Sequence, residues 1–446
     1  MQQIYVIEPF NQGSPHFEII GMIGDYYSML WHVQLYGLGY FEITLPATQD
    51  TVRLVTDIEG RFLVRECDIS ESDGQKVFRN CMIIRNVTTV YDADQGWCLK
   101  VSGKSVKDIL SQRIILEPYS TTDESLPAVI DKMIYQNAKN PEEYAHSMVE
   151  ASEEVLATKE AWESTKKDIR DEKLADYERA VADYGEDSPQ AKGAKASLDA
   201  AQAAYDQAVA ERVNAENTLN YYSKLYGIAI PRRIPYLYTG DYHFDDPPLI
   251  SIQLHGENLG EWIESICTEL GWGWDVTVSE SRITFYFVIG EDRSATVEFS
   301  PEMDNLKNAE FVRSTETYRD TAYVFGDGEG VTQEWVVVDG DDGSRRYEDF
   351  ISAGISKPEG GSDLQYQAQL MQIGQTEIAS LDKKETISGE IDTDGLYKIG
   401  EDFDLGDVVK VKTEQDVSAT TRLIEILYSN ETDGTHTIGT FTEWEV

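Results

Sequence analysis

Cysteine is scarce in this chain: Cys67, Cys81, Cys98 and Cys267 are the four among 446 residues. They are too few and too scattered for a disulfide framework or a CxxC zinc site. Cys67, Cys81 and Cys98 share one N-terminal segment and are able to meet in space, but buried free thiols made in a reducing cytoplasm are the expectation. Positive charge is also short, with 38 basic against 81 acidic residues and a net charge of −43. Such a surface repels phosphate and anionic lipid headgroups, so no sequence-specific nucleic-acid binding is expected. It suits either plain solubility or a negative lumen past which DNA slides without sticking. No apolar run reaches the roughly eighteen residues of a membrane span, so no stable membrane insertion is expected. Met1-Gln2-Gln3-Ile4-Tyr5 lacks the basic start and apolar stretch of a signal peptide. Release by cell lysis fits better than export.

Reaction motifs are missing too. His16, His32, His146, His243, His255 and His436 are dispersed, without HExxH or any i, i+4 pair. There is no G-x-S-x-G elbow, Walker A loop or Rossmann fingerprint. The acidic turn Asp339-Gly340-Asp341-Asp342-Gly343 hints at calcium, but its fifth position is Gly343 and no glutamate stands in EF-hand register. It reads as a solvated turn, as does Asp92-Ala93-Asp94-Gln95-Gly96. Among 81 acids, paired carboxylates for glycoside hydrolysis say little. Trp272, Trp274, Trp335 and Trp444 are able to stack on sugars, though such residues more often fill sheet cores or subunit contacts. No catalytic, cofactor-binding or metal-ligating residue is assigned, and no enzyme activity is expected.

What is present is a folded chain: 41% apolar, 11% aromatic, with 25 tyrosines suited to strands and wet interfaces. Its length calls for two to four domains. Residues 1–120 read as mostly β. Trp31, Val33 and Leu35 alternate, then Phe41, Ile43 and Leu45 after Gly37-Leu38-Gly39, which is a hairpin with one apolar face. Further β-type runs are Arg61–Glu66, Val77–Tyr91 and Trp97–Val101. Ser105 caps a short helix that turns Val106, Ile109 and Leu110 inward. A helix at Leu126–Asn137 opens a helical region, 121–230.

Within that region, 140–226 is rich in Ala, Glu, Lys and Asp. Asn140, Pro141 and Glu143 make a capping box, Gly185 can close the first helix, and Ser188-Pro189 starts the second. Val155, Trp162 and Ile169 lie seven apart. Leu198, Ala201, Tyr205, Ala208, Ala215, Leu219 and Tyr222 keep a three-four alternation, broken where Arg212 would face inward. The reading is an antiparallel coiled-coil hairpin with arms of roughly 50–60 Å, at about 1.5 Å per residue.

Residues 231–310 form an α+β domain. It holds the amphipathic helix Leu259–Leu270 and a pair of strands, Trp272–Val278 and Ile283–Val288. Residues 311–446 read as a second barrel-like domain with one helix, Asp363–Leu381. Its strands are Thr321–Phe325, Gln333–Val338, Arg345–Ile351, Thr386–Ile391, Val408–Lys412, Arg422–Tyr428 and His436–Thr442. With the helical arm set aside, the chain is mainly β, an α+β protein.

Five segments, in order, resemble a family of siphophage tail-tip hub proteins, the siphovirus tail proteins. They are Ser28-Met29-Leu30-Trp31 with Gly39–Ala47; Val101-Ser102-Gly103-Lys104-Ser105 with Leu110–Ile115; Gly290–Ser294 with Val297–Leu306; Thr321–Gly330; and Asp402–Val409. The arm at 140–226 is not a constant feature of that family. The resemblance implies a non-enzymatic structural protein of a bacteriophage virion, a baseplate hub at the viral tail tip. It implies tail-tube-like β-barrel domains with small α+β insertions, assembled as a homotrimer whose six barrels form a pseudo-sixfold ring. The implied partners are the distal tail protein, the tape-measure protein, and tail fibre or receptor-binding proteins. The chain ends at Val446 just after hub-like strands, so no appended peptidase, lysozyme or fibre domain is expected. The rival readings are a tail-associated cell-wall hydrolase and a host-surface adhesin acting through the arm.

Overall fold

The structure is a computed structural model that describes the chain apart from residues 1–2, 9–16, 57–59, 73, 241, 245, 340–345, 358–361, 382–383, 393–394, 413–417, 432–433 and 444–446. It has two compact units, 1–134 together with 236–446, and 135–235. The fold is α+β, with helix and strand each taking 38% of the described residues.

In chain order the first strands are β1 (Ile4–Glu8), β2 (Glu18–Ile23), β3 (Ser28–Gln34), β4 (Tyr40–Pro46) and β5 (Phe62–Arg65). Then come β6 (Ile69–Ser72), β7 (Gln75–Phe78), β8 (Met82–Asp92), β9 (Gly96–Ser105) and β10 (Tyr119–Ser125). The middle of the chain holds β11 (Leu237–Thr239), β12 (Leu249–Leu254), β13 (Gly273–Ser279), β14 (Ile283–Val288) and β15 (Glu298–Phe299). The remainder are β16 (Leu306–Ser314), β17 (Thr321–Phe325), β18 (Trp335–Asp339), β19 (Glu348–Ser352), β20 (Lys384–Ile391), β21 (Val408–Lys412), β22 (Ser418–Glu431) and β23 (Gly434–Glu443). The helices are α1 (Gln49–Thr56), α2 (Leu126–Ile134), α3 (Pro141–Tyr184), α4 (Pro189–Gly227), α5 (Leu259–Glu269) and α6 (Asp363–Ser380).

Thirteen strands join in one sheet, ordered β16-β20-β23-β22-β3-β4-β9-β8-β5-β1-β2, with β21 and β15 branching from β22. The period-two alternation read in the sequence sets its centre. Trp31 lies opposite Phe41 and Met29 opposite Ile43, so one face of the hairpin is buried throughout. On the other side of β3, Tyr428 of β22 lies opposite Trp31. The N-terminal strands close over Trp31, Phe41, Ile43 and Val101, and the C-terminal strands over Phe299, Phe403, Leu423 and Phe441. Tyr428 packs against both clusters. The hydrogen-bonded path is open at β16 and at β2 among the described residues.

The run Val77–Tyr91 is not one strand. Asn80 takes a φ of 49°, a left-handed turn that asparagine tolerates. The turn sends β7 into a separate sheet, β11-β14-β13-β7-β6, while β8 stays in the large one. The short helix after Ser105 is a 3-10 turn, Val106–Gln112; Ser105 accepts from the Lys107 N–H, and Val106, Ile109 and Leu110 are buried. In α5, Asn258 caps by accepting from Gly260 and Glu261. A three-stranded sheet, β18-β17-β19, lays Ala322, Val324, Val336 and Val338 against Tyr366 and Leu370 of α6.

The arm forms as expected at its tip and differs at its base. Gly185 has a φ of 83° and donates its N–H to Val181, and Ser188 caps α4 by accepting from Ala191. At 44 residues α3 is about 66 Å long. Asn140 is not a cap: its side-chain amide donates to Glu143 at 3.0 Å. Its backbone N–H is bonded to the carbonyl of Tyr135, closing a π-helical turn, Tyr135–Lys139. Asn140 itself is not helical, with φ −133° and ψ 51°, and Pro141 brings no N–H of its own to the first turn of α3.

The seam of α4 is the expected one, with Leu198, Ala208 and Ala215 buried. The seam of α3 is not. Val155, Trp162 and Ile169 are 50%, 45% and 39% exposed. The row facing α4 is Leu156, Glu163 and Arg170, one residue further and so about 100° around the helix. Seven-residue spacing defines a stripe without saying which neighbour it meets. Arg212 on α4 needs an acid opposite it, and Glu163 supplies one at 2.6 Å.

Candidate functional site

The residues singled out in the sequence are not gathered in one place. His32 reaches Glu425 at 3.4 Å, His436 reaches Glu390 at 2.8 Å, and exposed His146 lies 3.7 Å from Glu150. Each pairing has a single carboxylate, and among the described residues no three His, Cys, Asp or Glu side chains are grouped to hold a metal. His16, Trp444 and most of the Asp339–Gly343 turn lie outside the described residues. Asp92 accepts from the amides of Asp94 at 2.8 Å and Gln95 at 3.0 Å. Those two hydrogen bonds lower its pKa and occupy it within its own turn. Cys81, Cys98 and Cys267 are buried free thiols, whereas Cys67, also outside any disulfide, is exposed. No helix among the described residues is long and apolar enough to cross a membrane.

The tryptophans divide. Trp274 is fully buried and donates its indole N–H to the Tyr36 carbonyl at 2.7 Å. Trp272 packs edge-on against Phe244 and Phe287. Trp335 stands on the outer face of the three-stranded sheet. There Phe325 is stacked between Trp335, at 5.8 Å, and Phe350, at 4.9 Å. Trp335 and Phe350 are 53% and 66% exposed. The sequence signal for this face was present: Tyr323 and Phe325 alternate with Ala322 and Val324, so one set must point away from α6. Tyr323, Phe325, Trp335 and Phe350 thus form an aromatic ladder on the sheet face turned away from α6.

Buried charge ties segments together. Lys107, 2% exposed, donates from Nζ to the carbonyls of Gln34, Leu35 and Gly37 at 2.8, 3.2 and 2.9 Å. Burial brings its pKa down to about 8, against the opposing pull of Asp275, Cys267 and Glu264. Arg422 bonds the carbonyls of Gly271 at 2.6 Å and Ile289 at 3.1 Å. Arg65 bonds Asp68 at 2.6 Å and lies 3.5 Å from the centre of the Tyr428 ring. Burial, the largest single influence, opposes its charge, but Asp68 together with Tyr428 and Cys67 outweighs it and raises the pKa. The guanidinium thus links an N-terminal strand to a C-terminal one.

Two of the five resemblance segments meet in space although more than a hundred residues separate them. Asp407 accepts from Glu291 N–H at 2.7 Å and from Asp404 N–H at 2.9 Å. Val408 N–H bonds the Glu291 carbonyl at 2.9 Å. The contact is so close that a Cβ on Gly290 would lie 2.0 Å from the Gly406 carbonyl oxygen. Gly103, in the second segment, is held likewise: its Cβ would fall 1.9 Å from the Ile83 carbonyl oxygen. These glycines allow backbone to touch backbone. Sequence reading found the segments but not the reason for them. What this geometry does is brace the strand-rich unit between segments far apart in sequence.

A protein-family model described as Siphovirus ReqiPepy6 Gp37-like protein matches residues 10–440. No curated protein matches the chain. Among similar solved structures is the 43 kDa tail protein of prophage MuSo2 from Shewanella oneidensis, 11% identical with a TM-score of 0.47, over 99% of this chain and 98% of that one. The tail protein from Neisseria meningitidis MC58 is 12% identical with a TM-score of 0.46, over 99% and 96%. Prophage tail protein gp18 from Listeria monocytogenes EGD-e is 8% identical with a TM-score of 0.42, over 99% and 95%.

Proposed function

Because the chain belongs to the family of Siphovirus ReqiPepy6 Gp37-like proteins, we propose that it is the baseplate hub of a siphovirus tail tip. Membership makes it a structural component of a phage tail. The finer reading is a homotrimer that closes or extends the tail tube, docks under the distal tail protein, accepts the tape-measure protein and carries fibre or receptor-binding proteins at its rim. In this reading 1–120 and 311–446 act as two tube-subunit-like, barrel-forming lobes, 231–310 is the α+β piece between them, and 121–230 carries the arm. The chain braces and passes DNA without performing a reaction.

The observation that supports this best is the β3–β22 junction. Two strand-built lobes, each over its own core cluster, are joined by six paired residues, Glu425↔Gln34 through Asn430↔Met29. Three such chains give six similar lobes, a match for a sixfold tube. The charge of −43 suits a bore along which DNA slides.

Gold-labelled antibody against the chain tests the position on intact particles. Label at the tail tip is the expected result; label along the shaft or on the head would sink the hub reading. A lytic band from the purified chain on a bacterial-wall zymogram would replace it with the hydrolase.

A further inference from the structure

Helix α3 carries two interaction faces of different character. The one turned to α4 is charged through its middle: Lys159 pairs with Glu211, Glu163 with Arg212, and Arg170 lies over the Tyr205 ring. The other, about 100° around, has no charged member for three heptads, although the Lys166 ammonium reaches over it to lie 4.0 Å from the centre of the Trp162 ring. Its large members, Met148, Val155, Trp162 and Ile169, recur every seven residues, and Ala151, Thr158 and Thr165 fall between them at alternating steps of three and four. Val155, Trp162 and Ile169 are exposed. The helix therefore spends its polar face on the internal seam and leaves its apolar face outside.

The spacing says what kind of partner belongs there. Neighbours on a straight helix drift by about 20° per heptad, so a strict seven-residue row stays in register only with a helix that supercoils around it. The flanks say which helix. With Met148, Val155, Trp162 and Ile169 at heptad position a, position e holds Lys159, Lys166 and Lys173, and position g holds Glu154, Ala161 and Asp168. In a parallel pair each g residue meets the e residue five further along on the neighbour. Glu154 then faces Lys159, and Asp168 faces Lys173, opposite signs in both cases. An antiparallel pair sets acid against acid and lysine against lysine. Glu154 and Asp168 make no ion pair among the described residues. Lys159 and Lys173 are already held at the border of the row, beside Glu211 and Asp176.

We propose that the row is the docking face for α3 of a second copy of this chain, in parallel, so that the arms of neighbouring copies form a coiled coil about their symmetry axis. The inference goes beyond the hub reading and rests on the arm alone; under the hub reading the copies number three.

The test uses the full chain with Cys67→Ser, which removes the exposed native thiol. Ile169→Cys under mild oxidation is expected to give a disulfide-linked dimer on a non-reducing gel, and Glu153→Cys, on the far side of α3, is expected to give none. In an antiparallel pair two copies of position 169 lie at opposite ends and do not link. Ultracentrifugation supplies the second arm. Glu154→Lys with Asp168→Lys is expected to weaken self-association at least tenfold, and adding Lys159→Glu with Lys173→Glu is expected to restore it, with helical circular dichroism unchanged throughout. No linkage through position 169, or a charge swap that fails to restore association in a helical protein, overturns the proposal. Tail-tip labelling without that linkage removes this inference and leaves the hub; linkage without tail-tip labelling does the reverse.

Discussion

In the strand-rich unit Arg65 is enclosed between Asp68 and the ring of Tyr428, with its side chain 1% exposed and that of Asp68 9%. In the arm Arg212 reaches Glu163 across a seam where the two side chains remain 27% and 21% exposed. The same ion-pair chemistry serves opposite ends. Enclosed by core, the first pair cannot lose a member without stranding the other in a medium that solvates it poorly. Wetted by solvent, the second gains little and displaces apolar contact from the seam. One unit is held by what it buries, and the other leaves its most regular apolar row exposed.

The largest expected effect tests the first half of that contrast. Arg65→Ala should destabilise the strand-rich unit by about 3–5 kcal/mol, because Asp68 is left half-satisfied beside Asn80. Denaturant unfolding followed by tryptophan fluorescence reads this, and a loss below about 1 kcal/mol would erase the distinction between the two units.

Lys107 gives the next effect, as a pH dependence. Its pKa is about 8 when folded, against about 10.4 for an unperturbed lysine. The unfolded chain therefore holds more protons in that window, so this group's contribution rises with pH from about 8 to 10.4 and is lost as pH falls through 8. The change is of order 3 kcal/mol. It is read as the difference between wild type and Lys107→Met over that range, since tyrosines titrate nearby; parallel curves would mean that the lysine is solvated.

The smallest effect has the opposite sign. Replacing Glu163 and Arg212 together by leucine should stabilise the arm by about 1 kcal/mol, because apolar contact replaces a wet ion pair. Thermal unfolding at the helical circular-dichroism minimum measures it. A clear loss of stability would show that the arm and the sheet use their charges alike.

Much of the local structure was legible. The β3–β4 hairpin, α5, the 3-10 turn after Ser105, and the Gly185 and Ser188 ends of the arm follow from period, capping and turn chemistry within a few residues. The misses have two causes. The strand break at Asn80 and the rotated seam of α3 depend on partners far along the chain or across a helix pair, whereas the cap lost at Asn140 goes with a local π-helical turn, Tyr135–Lys139, that capping rules do not foresee. The aromatic ladder was half legible: alternation showed that Tyr323 and Phe325 share a face, but not that α6 would take the other one.

Composition and periodicity alone settled that this chain folds as strands around an inserted helical arm, that it carries extreme negative charge, and which segments bear the resemblance to tail proteins. Those properties are local sums over neighbouring residues. Only the tertiary structure decided that N- and C-terminal strands share one sheet, that Gly290 must yield to the Gly406 carbonyl, and that Trp162 faces outward. Each of these turns on which surfaces meet, and that choice is made by the whole folded chain minimising buried, unpaired charge and exposed apolar area at once.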